Sequence, residues 1–171
     1  MADAVKAANR LKCEEIIKNL KKRGMNGYYC DNSREACEKA LSMIPNGAHV
    51  SWGGSVTLED INIKERLELV NAEIIDPMAA KDPEEAYSIR VRALMADVFL
   101  TGTNAITLDG KLVNIDGRGN RTAAICFGPK KVIVIAGTNK IARDEQAAMA
   151  RIKTEACPAN CIRLKKDTPC A

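Results

Sequence analysis

Apolar positions along this chain recur at two spacings, and the two alternate. Cys13, Ile16, Ile17 and Leu20 fall at i, i+3, i+4 and i+7, as do Cys37, Ala40, Leu41 and Ile44. Each set lays one apolar stripe along a helix. The first predicts a helix over residues 3–23, ended by Gly24. The second starts after Asn32-Ser33, either of which can cap it, and stops at the Pro45-Asn-Gly47 turn. Short runs of strand character lie between such helices: Gly27–Cys30, Ala48–Trp52, Glu73–Ile75 before the Asp76-Pro77 stop, and Asp97–Leu100. Lys131–Ala136 is apolar without a break after its lysine, which predicts a strand buried on both faces. Further helices are predicted through Leu58 and Ile61, over Glu65–Val70, from the Asp82 cap and Pro83 to Ala96, and from Asp144 to Met149 or beyond. Strand and helix in alternation argue for an α/β chain built as a three-layer sandwich with a largely parallel sheet. Residues 1–150 read as a single α/β domain and residues 151–171 as a basic, cysteine-containing tail.

Composition narrows what such a fold can do. A hydrophobic content of 46% supplies a sizeable core, while 4% aromatic leaves little for stacking on bases. The formal charge of +4 is concentrated in the tail, where Arg151, Lys153, Arg163, Lys165 and Lys166 outnumber Glu155 and Asp167. The body is nearly neutral, so no nucleic-acid groove is indicated. No segment approaches the roughly 20 apolar residues of a membrane helix, and the N-terminus lacks an apolar signal core. The expectation is a cytoplasmic protein with no membrane partner, and a homodimer is the default oligomer.

Two stretches carry the candidate chemistry. Between Thr101 and Gly128, Asp109-Gly110 separates the alternating segments Ala105–Leu108 and Leu112–Ile115, a hairpin signal that predicts a type I′ turn with positive φ at both central residues. Polar and flexible residues then recur at three chain reversals: Thr101, Gly102, Thr103 and Asn104; Asn114, Asp116 and Gly117; and Gly119, Asn120 and Arg121. Loops at the carboxyl ends of strands are where open α/β sheets bind ligands. The second stretch, Trp52-Gly-Gly-Ser-Val-Thr57, is a strand-to-helix junction. Gly53 and Gly54 let backbone approach a ligand, and Ser55 or Thr57 can cap the helix while its N–H groups face an anion. It is neither a Walker A loop nor a G-x-G-x-x-G fingerprint. Read without a ligand, both stretches are glycine-softened surface turns.

Glu59 and Asp60 stand in the first turn after this junction, where they act as acid or base, or simply favour the positive helix end. Arg118 and Arg121 suit bidentate contact with carboxylate or phosphate, and Asp116 between them can orient one. His49 is the single histidine and sits within a strand, so a structural role is expected. Of the seven cysteines, Cys13, Cys30, Cys37 and Cys126 read as core packing. Cys157, Cys161 and Cys170 lie in a Pro-interrupted tail and are candidate zinc or iron–sulfur ligands, although C-x3-C is a loose spacing and a tetrahedral site wants a fourth ligand.

Gly53-Gly-Ser-x-Thr57, Gly102-Thr-Asn-Ala-Ile106 and above all Leu112-Val-Asn-Ile-Asp-Gly-x-Gly-Asn-Arg121 resemble the LUD-domain proteins, named for lactate utilisation. The resemblance spans nearly the whole chain, to the start of the cysteine tail. It implies the fold shared by ribose-5-phosphate isomerase, glucosamine-6-phosphate deaminase and the CoA transferases, with a ligand cleft at the strand ends. It also implies association with a system that oxidises lactate to pyruvate, in which iron–sulfur partner subunits carry electrons. Two departures matter. Where CoA transferases place a glutamate nucleophile, the matched position holds Thr103, which lacks the carboxylate for an acyl intermediate. Short proteins of this family often continue past a Pro-Cys-Ala segment with more cysteines, so a metal site at Cys170 is expected to need ligands beyond Ala171.

Three functions stay open on these residues. The first is an enzyme or enzyme-like subunit acting on a small anionic hydroxy acid or phosphorylated sugar acid. There Arg121 and the Gly53–Thr57 amides hold the anion, Asn104, Asn114 and Asp116 orient its hydroxyls, and Glu59 or Asp116 moves the proton. The second is a non-catalytic accessory or sensor subunit. The third is a scaffold for a metal-binding tail.

Overall fold

The computed structural model describes residues 1–167. In chain order the helices are α1 (Ala2–Lys22), α2 (Ser33–Leu41), α3 (Val56–Asp60), α4 (Pro83–Ala93), α5 (Asn120–Cys126), α6 (Glu145–Arg151) and α7 (Cys157–Arg163). The strands are β1 (His49–Trp52), β2 (Glu73–Ile74), β3 (Val98–Gly102), β4 (Ala105–Thr107), β5 (Leu112–Val113), β6 (Lys131–Ile135) and β7 (Ile141–Ala142). They form two compact units. The sheet unit comprises Cys30–Gly102 and Asp116–Ile135; the hairpin unit comprises Met1–Tyr29, Thr103–Ile115 and the chain from Ala136 onward.

The sheet unit is a three-layer α/β sandwich around a four-stranded parallel sheet of order β2-β1-β3-β6. The period of two along a strand decides which layer each side chain enters. Val50 and Trp52 of β1 and Val98 and Leu100 of β3 pack with Cys37, Leu41 and Leu58 from α2 and α3, and with Leu67 of the 3₁₀ turn Lys64–Val70. Phe99, between the two β3 residues, faces the other way onto Ala93 of α4 and Ala124 of α5. All five residues of the central strand β3 are buried. The expectation that Lys131–Ala136 is buried on both faces is corrected: β6 is an edge strand, and Ile133 alone within it is buried.

Local chemistry starts and stops the helices as read. Asn32 and Asp82 accept the Glu35 and Glu85 backbone N–H groups at the starts of α2 and α4, and Pro83 takes the first turn of α4. The helix α5 was not expected. It opens inside Gly-x-Gly-Asn-Arg, with Gly119 at its N-cap and a φ of 74°. The strand expected at Gly27–Cys30 does not form: these residues belong to no ladder. There Gly27 lies so close to α1 that an added Cβ would come within 2.9 Å of Ile17 Cγ1.

In the hairpin unit, β4 pairs antiparallel with β5 and parallel with β7. The Asp109-Gly110 turn exists but is not type I′, because Gly110 takes a φ of 81° and Asp109 stays negative. The Gly110 N–H donates to the Thr107 carbonyl, and Thr107 N–H reaches the Lys111 carbonyl, which is a wider turn closed by one left-handed glycine. A Cβ on Gly110 would also sit 3.0 Å from the Leu20 backbone nitrogen of α1. The Pro-interrupted tail is helical to Arg163. A π-helical turn, Ile152–Ala156, joins α6 to α7 just before Pro158, whose missing N–H it absorbs. Ile152 is fully buried with Ala105, Ala142 and Ala148.

Candidate functional site

The carboxyl edge of the sheet in the sheet unit gathers most of the expected ligand residues. From Trp52 the chain turns through Gly53 and Gly54 into α3, with the Gly53 N–H donating to the Leu100 carbonyl of β3. Gly53 is hemmed in: an added Cβ would lie 3.3 Å from Thr101 Oγ1, 3.6 Å from Arg121 Cβ and 3.7 Å from Phe99 Cε1. Two stretches nearly seventy residues apart in sequence, Gly53 and Arg121, are thus side by side. Gly54 and Gly117 by contrast face open space. Ser55 is buried at the α3 N-cap, but its hydroxyl makes no cap hydrogen bond; its backbone carbonyl accepts from Leu58 and Glu59 instead. Thr57 lies in the first turn of α3, and Gly102 ends β3.

Asp116 fixes Arg121. Arg121 Nε donates to Asp116 Oδ1 at 2.7 Å, and Nη2 reaches the same oxygen. The other carboxylate oxygen accepts the Thr122 backbone N–H at 2.8 Å, so Asp116 also caps α5 from outside. Their side chains are only 13% and 10% exposed, which makes this the most enclosed ion pair of the described residues. Asp116 therefore orients Arg121, and Arg118 is left exposed to solvent. Glu59 is half exposed and 3.7 Å from the Lys64 ammonium, which itself lies 5.4 Å over the Trp52 ring. Trp52 is 7% exposed, and its indole N–H has no acceptor among the described residues. Thr101, the first residue of the first polar reversal, touches this site on the same face of β3 as Phe99, and Thr122, which the sequence reading does not single out, joins it through its backbone N–H.

Residues 13–171 match the LUD domain family. The chain is a LUD-domain protein. No curated protein matches it. Membership associates the LUD domain in general terms with lactate utilisation. Among the described residues no helix is long and apolar enough to cross a membrane.

Thr103, Asn104 and Asn114 belong to the hairpin unit of the LUD domain, where they hold the backbone. Asn114 Oδ1 accepts the Asn104 N–H at 3.1 Å and the Thr103 hydroxyl at 3.0 Å, and Asn104 Oδ1 accepts the Ile115 N–H at 2.9 Å. Arg151 donates to the Asn104 carbonyl at 2.6 Å and to the Asn139 carbonyl at 3.0 Å. Gly119 and Asn120 form the start of α5 in the sheet unit.

His49 opens β1 rather than lying within it, and it is exposed. Its Nδ1 is 3.1 Å from Asp97 and its Nε2 3.0 Å from Glu73. The Lys130 ammonium at 2.7 Å, with the His49 contacts, holds the Asp97 carboxyl well below the usual carboxylate range. This cluster borders a hollow of about 410 Å³ at the amino ends of β1, β3 and β6, lined by Asn46, Gly47, Asp97, Lys130 and Lys131. Its lysines are engaged, Lys130 with Asp97 and Lys131 with the Met43 carbonyl.

The cysteines divide differently from expectation. Cys37 is fully buried, and Cys13 and Cys30 are half-buried, with burial followed by a neighbouring carboxylate pushing both thiols up. Cys126 is exposed, a correction to its reading as core: it ends α5 on the outer side, where Ala124 is the residue turned inward. Cys157 and Cys161 stand one turn apart on α7, with Cys157 against the core around Ile152. Cys170 lies outside the described residues. Among the described residues no three His, Cys, Asp or Glu side chains are grouped to hold a metal.

Proposed function

We propose that this LUD domain binds a small carboxylate metabolite of the hydroxy-acid class, lactate or a close relative, at the carboxyl edge of its parallel sheet. The observation that carries the reading is the closeness of Gly53 to Arg121, where a Cβ built on the glycine would lie 3.6 Å from Arg121 Cβ and the arginine's guanidinium is held by Asp116. In this reading Arg121 receives the carboxylate, and the open backbone at Gly54, with Ser55 and Thr57, accommodates the rest of the acid. Asp116 is a positioning residue, since both its oxygens are occupied. Turnover, where it occurs, falls to Glu59, the carboxylate of this edge exposed enough to exchange a proton. The engagement of Asp116 favours a second reading in which the same site binds without catalysis, as an accessory or sensor subunit beside iron–sulfur oxidoreductase partners.

Thermal shift with lactate, glycolate, pyruvate, phosphate, a sugar phosphate and CoA tests the binding. A saturating acid at 100 times its dissociation constant adds about 2.7 kcal/mol, or a rise in Tm of about 5–10 °C for a chain of this size. The rise is expected with a hydroxy acid and is lost in Arg121→Ala. If no acid shifts the folded protein, the reading falls.

A further inference from the structure

The outer face of α4 carries an apolar stripe where a surface helix is ordinarily polar. Tyr87, Val91 and Met95 follow one another at i, i+4 and i+8 and are 71%, 42% and 72% exposed. The inward face is served separately by Ile89 and Ala93. The stripe runs about 12 Å along the helix and its C-terminal exit. It is widened by Phe127, which is 89% exposed. Phe127 lies near the C-terminal end of this stripe, since Gly128, next in the chain, comes against Leu94: an added Cβ would be 2.5 Å from the Leu94 carbonyl oxygen. Contiguous exposed aromatic and aliphatic side chains of this kind mark interaction surfaces.

Charge decides the occupant. Glu84 and Arg92 are exposed at the two ends of the same face, and neither makes an ion pair among the described residues. They are eight residues apart, with Ser88 midway and also exposed. Two copies of α4 laid antiparallel about a two-fold axis near Ser88 bring Glu84 of each copy to Arg92 of the other. Tyr87 then lies beside the axis, where the small Ser88 lets the helices approach. A single charge sign at both ends would have repelled a second copy; an acid at one end and a base at the other is self-complementary, as a two-fold contact requires.

We propose that the outer face of α4, with Phe127 at its margin, is an isologous surface that pairs this chain with a second copy of itself. The pairing is separate from ligand binding and does not depend on it. Sedimentation equilibrium of the full chain, from about 1 to 200 μM, reads it directly, a range in which a contact of one helix and its neighbour dissociates measurably. The mass is expected to rise from one chain to two. Val91→Arg is expected to raise the dissociation constant about tenfold or more. Glu84→Arg and Arg92→Glu each weaken pairing, and the double exchange restores it. Circular dichroism and Tm confirm that each variant is folded; these positions are exposed, so folding is expected to be unchanged. A monomer at every concentration overturns the proposal and leaves the stripe to a different protein. A dimer indifferent to Val91→Arg, or a double exchange no better than the single ones, equally overturns it.

Discussion

Asp97 shows how much one carboxylate at the start of a buried strand can organise. It receives the Lys130 ammonium, the His49 ring and the His49 backbone N–H, and so ties the starts of β1, β3 and β6 together. Its carboxyl titrates lower in the folded chain than in the unfolded one, where the value is about 3.9. The stability it adds is therefore complete above that value and is lost as pH falls through the lower, folded one. Asp97→Asn should have a lower Tm than the wild type at pH 7. The gap should close as the buffer is taken below about pH 4. A constant gap down to pH 2 would remove Asp97 from this role. At the same scale Gly110 answers two demands at once, a left-handed φ and a backbone approach to α1 so close that a Cβ would force α1 to shift. A sequence shows the glycine but not the neighbour that requires it.

Among the elements, those fixed by local rules were legible and those fixed by tertiary neighbours were not. Asn32, Asp82 and Asp144 cap α2, α4 and α6 through their own side chains, a signal contained in a few residues. The parallel sheet followed from alternation, which local pattern also carries. By contrast α5 has no such side-chain cap of its own at Gly119; its first turn is secured by Asp116 from the preceding loop. The edge position of β6 depends on which strands lie beside it, and its apolar run alone suggested a central place. The candidate site divides the same way. Glycines, Arg121 and an arginine-orienting role for Asp116 were readable as chemistry, while which arginine Asp116 holds and the loop-locking of Thr103, Asn104 and Asn114 are decided by tertiary neighbours. Asp116→Ala removes both the α5 cap and the partner of a nearly enclosed guanidinium. It should cost about 2–4 kcal/mol in urea unfolding. Asp116→Asn keeps an acceptor for Thr122 and should cost less. Equal losses would show that the ion pair matters and the cap does not.

At the scale of the whole molecule, protection against solvent should follow the sheet order. β3 is buried along its full length, whereas β2 is two exposed residues at one margin and β6 lies at the other. Amide hydrogen exchange should be slowest in Val98–Gly102 and faster in Lys131–Ile135. Comparable rates in the two would mean that the sheet opens as one body. The chain crosses between its two units after Tyr29, Gly102, Ile115 and Ile135, and the third crossing leads directly to Asp116. Trp52, enclosed at the end of β1 and next to Gly53, is the one tryptophan in 171 residues. The protein thus carries its own optical reporter: emission from a single indole shielded from water, free of overlapping signals, that dims or reddens whenever the junction beside it loosens or fills.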